Sequence, residues 1–156
     1  MERTLVLVKP DGVARGLVGE IVSRIERKGI LIVALKMLRL DEQRARRMYS
    51  VHKGKDFYEP LVRYVTSGPL VAMVAEGKDV IRMFRALAGP TFGSEAPPGT
   101  IRGDLAVSKR YNIVHGSDSP ESYEREWPIF FERQEILDLE DSQLRWIYDT
   151  TGPELI

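Results

Sequence analysis

The sequence predicts an α+β fold in which helices pack on a four-stranded antiparallel sheet. Three observations support it: apolar runs of strand length, amphipathic segments at helical spacing between them, and the order in which the two alternate. That order is strand, helix, strand, inserted helices, then strand, helix, strand, which matches the split βαβ or ferredoxin-like βαββαβ arrangement. A doubly wound parallel sheet is the alternative, because pattern alone separates the two poorly.

The first predicted strand is the compact apolar run 5–8, which Pro10 and the next two residues end with a turn. Segment 17–25 then carries apolar side chains at helical spacing, and Gly29 lies where a helix ends. Residues 30–38 are apolar again and predict the second strand.

Charged and amphipathic segments follow. Asp41 can cap a helix running towards Tyr49, and a further helical patch covers residues 57–65. Residues 70–75 predict the third strand. Residues 80–87 predict an amphipathic helix, which a glycine–proline pair ends.

Residues 91–100 are rich in glycine, proline and small polar residues and lack helix or strand periodicity. They predict a loop, and long loops in compact domains are often functional. Residues 113–114 predict a short fourth strand that ends at His115.

The last predicted helix starts at Asp118 or Ser119 and runs to about Arg133. The tail is expected to pack back on the body through apolar side chains at Leu139, Leu144, Trp146 and Ile147. No repeat or linker interrupts the chain, so residues 1–156 are expected to form one domain.

The composition, 43% hydrophobic and 29% charged, is typical of a soluble globular protein. Lys plus Arg equals Asp plus Glu, at 23 each, so nucleic acid is not expected as a main partner. The absence of cysteine excludes disulfides, thiolate metal sites and cysteine catalysis. The first apolar run is too short for a signal peptide and no run has the length of a membrane span, which predicts a cytoplasmic protein without a membrane partner.

Several familiar catalytic motifs are absent: a P-loop, a G-x-G-x-x-G glycine loop and an H-E-x-x-H zinc motif. The two histidines, His52 and His115, lack metal-ligand spacing, so no protein-held metal site is predicted.

His115 is the strongest catalytic candidate. It ends a strand, Gly116 follows it, and the amides that open the next helix can bind anions. A neutral imidazole can attack phosphorus if a partner holds its other nitrogen, and Glu126 is the candidate partner. A buried structural histidine is the alternative, but the combination of glycine, helix start and carboxylate favours catalysis.

Two cationic residues also suit phosphate: one ends a predicted strand and the other follows the long loop. Lys9 could bind phosphate or lie along the sheet edge with its ammonium in solvent, and Arg102 could bind phosphate or pair with an aspartate. From the residues alone, Arg85 is expected to be solvated, and Tyr49 and Phe57 are expected in the core. These residues together predict a phosphate-handling enzyme with a histidine nucleophile.

Four segments resemble the nucleoside diphosphate kinase family. The segment NIVHGSDS at 112–119 resembles its active-site signature, and TLVLVKPD at 4–11 resembles its first strand. Residues 67–74 resemble the third strand and PGTIRGD at 98–104 the exit of the long loop. The match is colinear from residue 4 to about residue 131.

The resemblance implies Mg²⁺-dependent ping-pong transfer of the γ-phosphate of a nucleoside triphosphate such as ATP to a nucleoside diphosphate, through phosphorylated His115. It implies catalytic roles for His115, Glu126, Ser117 and Tyr49. It also implies that the nucleotide is bound by Lys9, Phe57, Leu61, Arg85, Thr91, Arg102 and Asn112. Phe57 would stack on the base, and Arg85 would hold phosphate, against the expectations from the residues alone.

Mg²⁺ would arrive with the nucleotide, held mainly by phosphates and water. The family resemblance implies a homo-oligomer, with a hexamer favoured over a tetramer. Lys109 departs from the small or aliphatic residue that the family commonly places opposite the stacking aromatic. A catalytically silent nucleotide-binding module on the same fold is the alternative function.

Overall fold

The computed structural model describes residues 1–139 and 144–153. The strands are β1 (Glu2–Val8), β2 (Leu31–Arg39), β3 (Pro69–Gly77) and β4 (Val114–Gly116). The α-helices are α1 (Pro10–Ala14), α2 (Val18–Arg27), α3 (Glu42–Met48), α4 (Tyr58–Val65), α5 (Val80–Ala88), α6 (Ile101–Leu105), α7 (Pro120–Phe130) and α8 (Leu144–Ile147). Single 3₁₀ turns lie at Ser50–His52, Gly93–Glu95 and Arg133–Glu135. Within the described ranges, every helix is too short or too polar to cross a bilayer.

The four strands form one sheet in the order β2-β3-β1-β4, and every pairing is antiparallel. The α+β prediction is therefore confirmed, and the parallel-sheet alternative is wrong. The register sets Leu7 of β1 opposite His115 of β4, and Val8 opposite Val114. This pairing holds the end of β1, where Lys9 follows, beside the start of β4.

The core lies on both faces of the sheet, which explains why β1 is apolar without alternation. Leu5 and Leu7 face a cluster with α3, α4 and α7, whereas Val6 and Val8 face a cluster with α2 and α5. All four side chains are fully buried. Each contributes about 1.5–3 kcal/mol relative to an exposed side chain.

The short helices α1, α6 and α8 were not predicted from the sequence. Residues 10–12, expected to form a turn, begin α1, because a proline at the first helical position has the right φ and needs no N–H partner. Helix α6 begins after Thr100, whose hydroxyl accepts the N–H of Gly103 at 3.0 Å. Helix α7 ends at Phe130 rather than near Arg133, since Phe131 adopts an extended conformation.

The described residues of the tail contact the body in several places. Ile147 lies against Gly29, so close that a Cβ on that glycine would come within 2.7 Å of it, and the Tyr148 hydroxyl accepts the N–H of Lys78. Trp146, expected to pack inwards, is 79% exposed. Residues 140–143 and 154–156 lie outside the described part of the chain.

Candidate active site

A cavity of about 900 Å³ opens where β1 ends and β4 begins. The residues that the sequence and the family resemblance singled out come together there. Those lining the cavity are Lys9, Tyr49, Phe57, Leu61, Arg85, Thr91, Arg102, Asn112, His115 and Glu126. Ser117 does not line it and instead lies behind Glu126, to which it is hydrogen-bonded.

His115 is held by a buried carboxylate. Its Nε2 lies 3.0 Å from Oε2 of Glu126, which is only 5% exposed. The Ser117 hydroxyl donates to the same oxygen at 2.7 Å and accepts the N–H of Leu5 at 3.3 Å. We assign the ring proton to Nε2, because an ionised carboxylate only accepts hydrogen bonds. That tautomer leaves the lone pair on Nδ1.

Gly116 allows the chain beside His115 to pack closely on α5. A Cβ at this position would lie 2.5 Å from the Phe84 ring. A larger residue would therefore push β4 off the helix and displace the imidazole next to it.

A strained turn precedes the histidine. Ile113 has φ of 72°, and the N–H of Val114 donates to the carbonyl of Asn112 at 2.8 Å, which closes a three-residue γ-turn. A positive φ is unusual for a β-branched residue, and such strain costs on the order of 1–3 kcal/mol. The surrounding contacts must offset this cost.

Lys9 is almost buried, at 6% exposed, and its ammonium donates to the Asn112 side-chain oxygen and to the Arg110 carbonyl at 3.3 Å. Burial lowers the pKa of Lys9 to about 7, which Asp11 opposes and Arg102 reinforces. The Asn112 amide donates in turn to the carbonyls of Thr91 and Lys109, both at 2.9 Å.

Arg102 binds three backbone carbonyls and so links two segments of the chain at the cavity. Its guanidinium donates to the carbonyls of Gly89 and Val114, each at 2.7 Å, and to that of Asn112 at 3.2 Å. Burial, then Arg85, lower the pKa of Arg102 to about 10, so it keeps its charge at neutral pH. With three of its five N–H groups used, two remain for an anion.

The aspartate nearest to Arg102 in sequence pairs elsewhere. Asp104 lies 2.8 Å from Arg24 and accepts the N–H of Gly99. The Arg–Asp pair considered for Arg102 is therefore wrong. The Arg85 side chain is exposed and makes no hydrogen bond or ion pair with any residue in the described ranges, as its sequence pattern predicted.

The other end of the cavity is aromatic and more open. Phe57, expected in the core from the residues alone, is 43% exposed, and its ring meets His52 edge-on at 5.1 Å. Tyr49 is buried as expected, and burial, then Glu126, raise the pKa of its phenol. Lys109 lines the same cavity, with its ammonium 5.3 Å from the centre of the Phe92 ring.

A model of the family described as nucleoside diphosphate kinase matches residues 2–136. The chain belongs to the nucleoside diphosphate kinase family. The family assignment made from the sequence motifs is confirmed, and so is its consequence that the chain is an enzyme that transfers phosphate between nucleotides. The catalytically silent alternative is not favoured.

Similar proteins cover nearly the whole chain. The nucleoside diphosphate kinase of Ignicoccus hospitalis is 59% identical over 138 residues, which are 88% of this chain and 94% of that protein. That of Archaeoglobus fulgidus is 54% identical over 149 residues, 96% of this chain and 99% of that protein. A solved structure of a halophilic nucleoside diphosphate kinase from Halobacterium salinarum in complex with CDP is similar with a TM-score of 0.92 and 46% identity, covering 95% of this chain and 99% of that one. The likeness to this structure confirms the ferredoxin-like fold.

Sequence reasoning missed other residues of this family member's cavity. His52 lines it, with Nδ1 3.2 Å from the Lys55 ammonium. Asp118 and Ser122 also line it and are joined by a hydrogen bond of 2.5 Å. The signal for Asp118 and Ser122 was local: an acidic residue and a serine at the start of a helix, four positions apart, face the same way. For His52, no local sequence pattern predicts that it lines the same cavity as His115.

Proposed function

We propose that this nucleoside diphosphate kinase carries the phosphoryl group on Nδ1 of His115, in a ping-pong reaction with Mg²⁺-bound nucleoside triphosphates. The observation that carries the proposal is the 3.0 Å contact between His115 Nε2 and buried Glu126. It commits one ring nitrogen to the protein and leaves the other for the phosphorus.

In the first half-reaction the Nδ1 lone pair attacks the γ-phosphorus and a P–N bond forms. The bond from that phosphorus to the β–γ bridging oxygen breaks, and its electron pair leaves with the nucleoside diphosphate. The proton on Nε2 stays between the ring and Glu126, where the carboxylate balances the developing positive charge. In the second half-reaction an oxygen of another diphosphate attacks the same phosphorus and the P–N bond breaks.

The cations of the cavity suit a triphosphate, because phosphoryl transfer needs mainly positioning and charge neutralisation. Arg102 has two N–H groups left and Arg85 is unpaired within residues 1–139 and 144–153, so both are assigned to the phosphates, with Thr91 beside them. Lys9 is assigned to phosphate and the ribose hydroxyl, and Asn112 to the sugar. Ser117 and Tyr49 position the imidazole.

At the open end, Phe57 is assigned to stacking on the base, with Leu61 beside it. The support is its exposed ring on the cavity wall. Stacking accepts any base, because every base has a π-face.

The residues present fit an Mg²⁺ ion that arrives with the nucleotide. Among the described residues, no three acidic or histidine side chains cluster as a metal site, and Glu126 is committed to His115. Phosphate oxygens and water would therefore supply most ligands. Bound there, Mg²⁺ would neutralise phosphate charge. Asp118 is an exposed carboxylate on the cavity wall, and we assign it to the ion through a bridging water molecule.

Three further assignments rest on the family resemblance and the composition. We place the protein in the cytoplasm, regard residues 1–156 as one domain, and expect a homo-oligomer, a hexamer rather than a tetramer. Equilibrium sedimentation of the purified protein tests the last of these.

The test of the mechanism is to incubate the enzyme with γ-labelled ATP and Mg²⁺ and then remove the nucleotide. One acid-labile, alkali-stable phosphoryl group per chain should remain on the peptide that contains His115. Any nucleoside diphosphate should release it. An acid-stable label, or initial-rate plots that intersect rather than run parallel, would instead indicate direct transfer in a ternary complex.

A further inference from the structure

The strained γ-turn at Ile113 lies two residues before His115 and is fully buried. Its three carbonyls are held by neighbours: the Ile113 carbonyl accepts the N–H of Lys9 at 2.7 Å, and Arg102 binds the carbonyls on either side. The Ile113 N–H depends on a side chain outside the phosphate-binding set. That N–H donates to Oδ2 of Asp11 at 3.1 Å.

Asp11 is itself fixed at its other oxygen. The Tyr64 hydroxyl of α4 donates to Oδ1 of Asp11, and the rings of Tyr64 and Tyr111 pack nearly perpendicular to each other with their centres 4.8 Å apart. Asp11 thus links α4, the start of α1 and the turn before β4. Without it, the buried Ile113 N–H would lose its partner, which is costly for a backbone donor.

We infer that Asp11, held by Tyr64, is a positioning residue that keeps the Ile113 γ-turn in its strained form and thereby sets His115 against the γ-phosphate. The inference rests on the proposed role of His115 as nucleophile. If the turn relaxes towards negative φ, the strand that follows rotates, and the imidazole leaves the direction that Glu126 and the phosphates require. A displacement of about 1 Å at a reacting atom can cost as much as 10²-fold in rate.

Asp11 also affects catalysis by a second route, its charge, which the experiment has to distinguish from its hydrogen bond to the turn. Its negative charge opposes the fall in the pKa of buried Lys9, so removing it would also make Lys9 less charged. Asp11→Asn separates the two effects. The amide oxygen can still accept the Ile113 N–H and the amide nitrogen can donate to the Tyr64 oxygen, whereas the charge is gone.

The experiment compares wild type, Asp11→Ala, Asp11→Asn and Tyr64→Phe. It measures the single-turnover rate of phosphohistidine formation from ATP, the ADP dissociation constant and hydrogen exchange of the Ile113 amide. We expect Asp11→Ala to slow phosphorylation about ten- to hundredfold, to change ADP affinity less than about threefold, and to lose protection of that amide. Asp11→Asn should stay within about threefold of wild type, and Tyr64→Phe should lie between the two.

Each other outcome overturns a distinct claim. If wild type forms no phosphohistidine, the proposed function fails before the variants matter. If wild type is labelled and Asp11→Ala phosphorylates at the normal rate, the positioning role is wrong. If Asp11→Asn is as slow as Asp11→Ala with the amide still protected, the effect runs through the charge of Lys9, and the positioning role is again wrong. Should Asp11→Ala fail to fold, the other two variants decide. The inference is overturned if Asp11→Asn phosphorylates slowly. It is also overturned if Tyr64→Phe keeps both the normal rate and the protection of the Ile113 amide.

Discussion

The two ends of the cavity are built differently. At the end that we assign to phosphate, Lys9, Arg102 and Glu126 are each held by hydrogen bonds to neighbouring groups. At the end that we assign to the base, Phe57 is 43% exposed and the Lys109 ammonium lies over the Phe92 ring. Apart from exposed Arg85, the phosphate end is therefore arranged before substrate arrives, while the base end leaves room for different occupants.

This difference matches what phosphoryl transfer demands. Preorganised charges and a fixed nucleophile lower the barrier because nothing has to reorganise during reaction. Base stacking is sequence-tolerant and contributes mainly to binding. Substitutions at the phosphate end should accordingly reduce the rate, and those at the base end should alter affinity with little effect on chemistry.

The largest effect is expected from His115→Ala. Transfer should fall by about 10³-fold or more, because the substitution removes the nitrogen that we assign as the nucleophile. Steady-state assays and circular dichroism measure this. His52→Gln is the matched control, since it changes the other histidine and should still gain the acid-labile label. A folded His115→Ala enzyme with near-normal turnover would refute the assignment.

Glu126→Gln should come next. The amide keeps the size of the side chain but cannot balance the charge that develops on the phosphorylated ring, so formation of phosphohistidine should slow about 10- to 100-fold without stopping. Rapid-quench labelling follows it. Ser117→Ala, which removes one donor to the same carboxylate, should slow the step less. Equal rates in Glu126→Gln and wild type would mean that the carboxylate does not support the imidazole.

Lys9 gives a pH prediction of intermediate size. Its pKa in the free protein is lowered to about 7 by burial, and a bound phosphate raises it again. Well below pH 7 the ammonium is charged in both states, so Lys9 adds no pH dependence to the affinity. As pH rises above 7, Lys9 loses its proton in the free protein but keeps it in the complex. ADP binding therefore weakens by at most about tenfold per pH unit.

Calorimetry on wild type and Lys9→Met checks this, because the nucleotide's own titration cancels in the difference between them. The advantage of wild type should be full below pH 7 and shrink between about pH 7 and 9. An advantage that stays constant over that range would show that Lys9 keeps its charge in the free protein.

Sequence reasoning reached some of this arrangement and not the rest, for physical reasons. The strands were predictable because β1 and β3 are buried on both faces and so read as continuous apolar runs. Helix α1 was missed because a proline, an aspartate and a glycine form the same pattern in a turn and in a first helical turn. His115 and Glu126 were predictable as a pair because they are only 11 residues apart, one in a strand and the other in the helix that follows it.

Contacts across the fold were out of reach. The bond from Tyr64 to Asp11 spans 53 positions, and that from Asp11 to the Ile113 N–H spans 102. No local pattern encodes such pairs. The exposure of Phe57 was misjudged for a similar reason: aromatic residues are usually buried, and only the cavity beside α4 explains why this one is not.

The smallest effect is expected at the base end, where it tests the comparison most directly. Phe57 offers a ring face and Lys109 a flexible ammonium with no hydrogen-bond or ion-pair partner among the described residues. A flexible ammonium can meet acceptors on different base edges, since it is a point charge with three rotatable donors.

We therefore expect kcat/KM for ATP, GTP, CTP and UTP to agree within roughly tenfold, because stacking discriminates weakly. Phe57→Ala should raise KM for all four nucleotides about equally, by about five- to a hundredfold, with little change in the rate of phosphohistidine formation.

Lys109→Met, which keeps the length of the side chain and removes its charge, should alter the spread of kcat/KM among the four nucleotides by less than about threefold. A strong preference in wild type that disappears in Lys109→Met would make Lys109 a base-reading residue, and the base end would then be as selective as the phosphate end is rigid.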